Sequence, residues 1–208
     1  MLRIDHVLLA TPDLDHGAEQ LWRGHGLRCL PGGRHRLWGT ANLILPIGSQ
    51  YLELVAVEDP ELARSSLLGR AVLASADRDR LTAIGVCLAA PEIAAVAERL
   101  SQPAEPGSRQ LADGTEIHWI TVGLERAFGA ERLPFFIAWD RRDQHPSSAP
   151  SHHRAAAKEI SAVEIGGPQD TLRAHLGEDV PGVCAVGGPP GIRSVTLRLL
   201  DGAEVELI

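Results

Sequence analysis

Three stretches of this chain share one pattern, and a repeat constrains the fold more than any other feature of a sequence. RIDHVLLATPDLDHGAEQL near the start, AIGVCLAAPEIAAVAERL at residues 83 to 100 and EISAVEIGGPQDTLRAHLG at residues 159 to 177 align when Pro12, Pro91 and Pro168 are superposed. Each reads as an apolar strand, a proline turn and a helix. The unit ends match as well, because the terminal EVELI echoes YLELV and sets Glu206 on Glu53, while PFFIAWD closes the middle unit. Three strand-helix-strand-strand-strand units follow, at about residues 1 to 58, 80 to 140 and 158 to 208, the third being the shortest. The expected fold class is α+β. The expected division is a domain at 1–146, a Pro/Ser/His-rich linker at 147–157 and a third unit at 158–208, with helical character in the connector EDPELARSSLLGRAVLASADRDR.

Within the first unit, alternation puts Ile4, His6 and Leu8 on one strand face and Tyr51, Glu53 and Val55 on one face of the closing strand. If the two faces coincide, an imidazole and a carboxylate line one cavity. Between these strands Asp13 can cap a helix that Gly24 and Gly26 end, and a Pro-Gly-Gly turn precedes Arg34. Glu53 is flanked by Leu52 and Leu54, where an unpaired charge is costly, so it needs a cation, a hydrogen-bonding partner or a proton. Arg34 is one candidate ion-pair partner. His6 reads as a metal ligand, a general base or a strand histidine with its hydrogen bonds satisfied.

Arg34, His35, Trp38 and Asn42 stand either on a cleft rim, where an arginine holds a carboxylate or carbonyl and an amide fixes orientation, or on a surface loop. In IHWITV only one of His118 and Trp119 can face a cavity. Phe135, Phe136 and Trp139 read as core or pocket wall, and His145 as a loop residue or part of a lid. His152 and His153 read as solvated linker residues, and His16, His25 and His175 as residues on helix surfaces or ends.

The formal net charge of −7 and the lack of any Lys/Arg cluster exclude a nucleic-acid footprint. Cys29, Cys87 and Cys184 are odd in number and far apart, which excludes a disulfide framework and a Cys-x-x-Cys zinc site and fits a reducing cytoplasm. No run approaches the roughly 20 apolar residues of a membrane span, so a soluble, cytoplasmic protein is expected.

The IDHV strand, the Pro-Asp-Leu-Asp turn and the YLELV strand resemble the βαβββ module of the vicinal oxygen chelate superfamily, which includes glyoxalases, extradiol dioxygenases and bleomycin resistance proteins. GGRH, GTAN, YLELVAV, IHW and PFFIAWD followed by His145-Pro146 resemble, more narrowly, its glyoxalase-like domain family, over about residues 3 to 146. The resemblance implies paired βαβββ modules with curved mixed or antiparallel sheets enclosing a cleft, and metal ligands at the first-strand His and last-strand Glu of each module. His6 and Glu53 match that pattern. The middle unit offers Gly85 and Ile137 or Ala138 instead, and the third offers Ala162 with Glu206. A metal site then needs His6, Glu53 and either Glu206 or a non-standard ligand such as His35, His118 or His145.

The expected ion is divalent: zinc, manganese, iron or nickel. The expected function is binding of a small carbonyl or aromatic compound with metal-assisted lyase, isomerase or dioxygenase chemistry, in which His6 and Glu53 act and Arg34, His35, Asn42, Trp119, Phe136 and His145 bind substrate. The second reading is a metal-free binding protein of the bleomycin-resistance type. An odd number of modules leaves a sheet edge free, which suggests a homodimer.

Overall fold

The computed structural model describes residues 1–77, 79–110 and 114–208. The first unit runs β1 (Arg3–Ala10), α1 (Leu14–His25), β2 (Leu30–His35), β3 (Thr40–Ile47) and β4 (Gln50–Val57). The helix starts where the Asp13 carboxylate accepts the His16 amide hydrogen at 2.8 Å, satisfying one of the amides that a first turn leaves unpaired. It stops at Gly26, whose φ of 66° turns the chain out of the helix.

Two helices, α2 (Pro60–Ser65) capped by Asp59 and α3 (Leu67–Ser75) capped by Ser66, fill the first connector. The second unit follows as β5 (Thr82–Ala89), α4 (Ile93–Leu100), β6 (Glu105–Gln110), β7 (Glu116–Val122), a short α5 (Leu124–Phe128) and β8 (Phe135–Trp139). Each unit orders its strands first, fourth, third, second, and the first and fourth are parallel. The two curved sheets close into one barrel, through β1 antiparallel to β5 and through Arg34 opposite Gln110 on β2 and β6.

The third unit keeps the expected element order, β9 (Ala157–Gly166), α6 (Gln169–Leu176), β10 (Val183–Val186), β11 (Gly191–Leu199) and β12 (Glu204–Glu206). Its sheet order, β10-β9-β11-β12, differs from that of the barrel units. After α6 the chain returns directly beside β9, and β11 takes the other side of β9. The strand carrying Glu206 therefore does not lie against β9 as β4 lies against β1.

This second sheet covers the outside of the β1–β5 seam: Ile160, Val163, Val195 and Leu197 share one core with Ile4, Val7, Val86 and Leu88. Pro12, Pro91 and Pro168 each stand in a strand-to-helix turn, as the repeat predicts. The stretch before β9 is anchored. His153 donates from Nε2 to the Pro46 carbonyl at 2.7 Å and accepts the Arg28 amide at Nδ1 at 2.9 Å, so it is not the solvated residue expected. No helix among the described residues is long and apolar enough to cross a membrane.

Candidate functional site

The site begins with an irregularity in β1. Ile4 pairs with Leu88 and His6 with Cys87, which leaves Asp5 as the extra residue of a bulge. Ile4 therefore turns into the outer core, while His6 and Leu8 face the barrel interior. This corrects the expectation that Ile4 shares a face with His6. The bulge also keeps Asp5 beside its neighbour, with Oδ1 2.7 Å from His6 Nδ1.

Tyr51 and Glu53 from β4, Asn42 from β3 and His35 from β2 face the same interior. The Asn42 side-chain oxygen accepts from the Gly33 amide at 2.7 Å and from Arg109 Nη1 at 3.4 Å. Its Nδ2 is thereby directed to Glu53 Oε1 at 2.6 Å and to His35 Nε2 at 3.3 Å. His35 accepts there and donates from Nδ1 to Thr40 Oγ1 at 3.0 Å.

Burial lowers the His35 pKa; Glu53 opposes the shift and Arg109 and His6 add to it, so the ring is neutral near pH 7. Burial alone would raise the Asp5 carboxyl, but hydrogen bonds from His145 and His6 outweigh it and hold it well below the usual carboxylate range. An ionised Asp5 can only accept, so His6 donates from Nδ1 and turns Nε2 toward Glu53 Oε2, 3.5 Å away. His35 Nε2 is also 3.5 Å from the other Glu53 oxygen. Two imidazole Nε2 atoms thus lie against one carboxylate, with Asn42 Nδ2 donating to His35 and Glu53 Oε1 alike.

Across from this polar half the second unit supplies Trp119, Phe128, Phe135, Ile137 and Trp139. The exceptions are Thr121 and Arg109, the latter 6 % exposed and with an Nε that has no hydrogen-bond partner among the described residues. The interior adjoins a surface groove of about 410 Å³, and His35, Trp38, Arg109 and Trp119 line both.

The structure brings His6, His35, Asn42, Glu53 and Trp119 together at this cavity. Arg34 is not among them, since it is exposed and pairs with Glu58 at 2.9 Å. Phe136 points to the outer core, where its ring lies 5.3 Å from that of His175, and alternation gives the cavity to Phe135 instead. His118 is exposed beside Glu116, leaving the interior to Trp119. His145 lies outside the cavity, with Nε2 3.1 Å from Asp5 Oδ2. Glu206 is exposed on β12 of the second sheet, so the third ligand expected from it is absent from the cavity and His35 stands beside Glu53 in its place.

Asp5 and Arg109 are not picked out from the sequence, and Tyr51 enters there only as a residue on the same strand face as Glu53. Asp5 was legible only as the neighbour of His6. Arg109 lies in EPGSRQ, a strand without the apolar alternation that marks a buried face.

The donor types at His6 and Glu53 suit a divalent ion: His6 Nε2 lies 3.5 Å from a Glu53 oxygen, and the Asp5 hydrogen bond to His6 is the kind of outer contact that orients a ligating imidazole. Asp5, His6 and Cys87 also form a cluster of ligand-type atoms within 4.8 Å of one another. Burial and the nearby Asp5 and Glu53 charges raise the Cys87 thiol well above its ordinary range, which disfavours the thiolate a metal needs.

No curated protein sequence matches this chain. A hypothetical protein from Staphylococcus aureus shares the fold, with a TM-score of 0.76 at 16 % identity over 99 % of this chain and 98 % of that one. A Streptomyces coelicolor methylmalonyl-CoA epimerase in complex with 2-nitronate-propionyl-CoA gives 0.48 at 17 % identity, over 67 % of this chain and 98 % of that one. The Mycobacterium tuberculosis methylmalonyl-CoA epimerase gives 0.42 at 17 % identity, over 65 % and 85 %. The sequence profile of the glyoxalase-like domain matches residues 4–180, through both barrel units and into the third, and the chain belongs to that family.

Proposed function

We propose that this protein is an enzyme that moves a proton on a small carbonyl compound inside the barrel, with Glu53 as the base and His6 as its partner. The observation that carries this reading is the approach of His6 Nε2 to Glu53 Oε2 at 3.5 Å, with the other carboxylate oxygen held by Asn42. Acceptors facing one another in a buried site repel unless a proton or a cation lies between them. With a proton, Glu53 and His6 form an acid–base couple able to take a hydrogen from carbon and return it. With a divalent ion, His6 and Glu53 would hold it, and it would supply Lewis-acid polarisation of the carbonyl oxygen.

The chain's own residues divide the remaining work. Asn42 donates to Glu53 Oε1 and fixes the carboxylate, leaving Oε2 toward His6. Asp5 holds the proton of His6 on Nδ1. Trp119, Phe135 and Trp139 keep water from the reacting carbon. The reaction class is isomerase or lyase. A second reading, a binding module without chemistry, draws on Ile137, which stands where the paired-module pattern expects a second carboxylate.

The test is exchange of carbon-bound hydrogen in D2O, followed by proton NMR, with hydroxyacetone and 2-oxobutanoate as probes and with chelator-treated and metal-reloaded protein. Exchange that falls about 100-fold or more in Glu53→Gln supports the enzyme. Binding without exchange in every metal state supports the module. Exchange that survives Glu53→Gln undiminished ends the proposal.

A further inference from the structure

We propose that the substrate carries a carboxylate and that Arg109 on β6 holds it. This rests on Glu53 as the proton-moving group and names the class of compound it acts on: a small 2-oxo or 2-hydroxy acid with an apolar side chain.

Arg109 is a buried cation whose bonding is incomplete among the described residues. Nη1 reaches Asn42 Oδ1 at 3.4 Å, and Nε has no hydrogen-bond partner among the described residues. Glu53 does not neutralise it directly, because its oxygens face His6, His35 and Asn42. A guanidinium withdrawn from water with a donor unused is costly unless an acceptor arrives with the ligand. Its planar fork matches a carboxylate, which accepts two parallel N–H bonds.

Position selects the rest of the molecule. Asn42 bridges the two charged groups, giving its Nδ2 to Glu53 and its oxygen to Arg109. The guanidinium and the base are thus joined through one side chain and line one interior, so a short acid held by Arg109 has its neighbouring carbons on the side of Glu53. Arg109 also lines both the interior and the outer groove, so an entering anion meets it at the neck. Leu124 and Phe128, which line the same interior, offer apolar surface to the remainder of the molecule.

The experiment is calorimetric titration with trimethylpyruvate, a 2-oxo acid with no hydrogen beside its carbonyl, and with its neutral methyl ester. The wild-type protein is expected to bind the acid at least tenfold more tightly than the ester. Arg109→Met should erase that preference while leaving ester binding unchanged, and Arg109→Lys should restore part of it. Equal binding of acid and ester by the wild type, equal loss of both in Arg109→Met, or no binding of the acid overturns the proposal. If Arg109→Met does not fold, the wild-type preference and its reduction in Arg109→Lys decide the matter. Trimethylpyruvate cannot exchange a proton, so the two readings fail separately. Acid preference without exchange of 2-oxobutanoate or hydroxyacetone keeps Arg109 and ends the role of Glu53, whereas exchange of hydroxyacetone without acid preference does the reverse.

Discussion

His6 and Asp5 are adjacent in β1, yet His6 Nδ1 lies 2.7 Å from Asp5 Oδ1. Strand alternation would send the two side chains to opposite faces. The bulge at Asp5 overrides it, and the other oxygen of Asp5 accepts from His145 Nε2 at 3.1 Å and Trp139 Nε1 at 3.3 Å. One buried carboxylate therefore fixes the tautomer of the cavity histidine and ties the segment after β8 to β1.

Asp5→Asn is expected to lower turnover or metal affinity by roughly 10- to 100-fold, because an amide cannot accept from His6, His145 and Trp139 together. It should also change the pH dependence of folding. The folded carboxyl is held below its ordinary value, so its charge stabilises the fold above the unfolded pKa of about 3.9, and that contribution is lost as pH falls through the folded value. Urea unfolding should show a wide stability gap between wild type and variant at pH 7 that narrows below about pH 3.9. A gap independent of pH would deny the charge any part.

Glu53→Gln should remove activity without unfolding the protein. Its oxygen can accept from Asn42 Nδ2 while its new N–H groups point to His6 Nε2, so the repulsion between facing acceptors is relieved. The expected stability is within about 1 kcal/mol of wild type, or higher. A large drop in the unfolding midpoint would mean that Glu53 serves the fold.

Much of this was legible in the sequence, for physical reasons that also mark where legibility stops. Proline at a strand-to-helix turn is a local signal, and Pro12, Pro91 and Pro168 announced three units. A lone Glu in YLELVAV is costly wherever it lies, so Glu53 was found from its surroundings. Arg109, by contrast, is buried by what closes over it from the partner sheet, and no local pattern in a polar strand reports that. Phe136 and Phe135 could not be told apart until the register of β8 against β7 was known. The order of the third sheet depends on where a crossover returns, so Glu206 looked equivalent to Glu53 when it is not.

His175, which reads as a helix-surface residue in the sequence, is buried between α6 and the barrel. Nε2 donates to the Pro134 carbonyl at 2.7 Å, and Nδ1 is 3.4 Å from Arg126 Nη1. Burial lowers its pKa, the bond to Pro134 opposes this, and Arg126 and Arg99 lower it further. The unfolded chain therefore takes up the proton first as pH falls below about 6.5, and the stability His175 contributes above that value is lost as pH falls through the folded one. His175→Gln keeps a donor for Pro134 but cannot titrate. The stability advantage of wild type over this variant should shrink between pH 7.5 and 5, read from urea midpoints. A constant difference would show that the ring is not held neutral.

Gly32 and Gly24 offer a paired test of how the cavity amide is held. In β2 the pairing with β3 shifts between Pro31 and Arg34, so the expected Pro-Gly-Gly turn is a strand irregularity wrapped around Asn42. The Gly33 amide donates to Asn42 Oδ1, and a Cβ on Gly32 would lie 2.1 Å from that oxygen and 2.5 Å from the Asn42 carbonyl oxygen. The second contact is with backbone and cannot be relieved by rotating a side chain. Gly32→Ala should therefore cost about 1–3 kcal/mol and displace the amide that orients Glu53, lowering exchange activity along with stability. A Cβ on Gly24, in the last turn of α1, would meet nothing within 4 Å, and alanine favours a helix by about 1 kcal/mol. Gly24→Ala should leave activity unchanged and raise the urea midpoint. If Gly32→Ala were as well tolerated as Gly24→Ala in both readouts, the close packing of β2 on Asn42 would not be what positions the base.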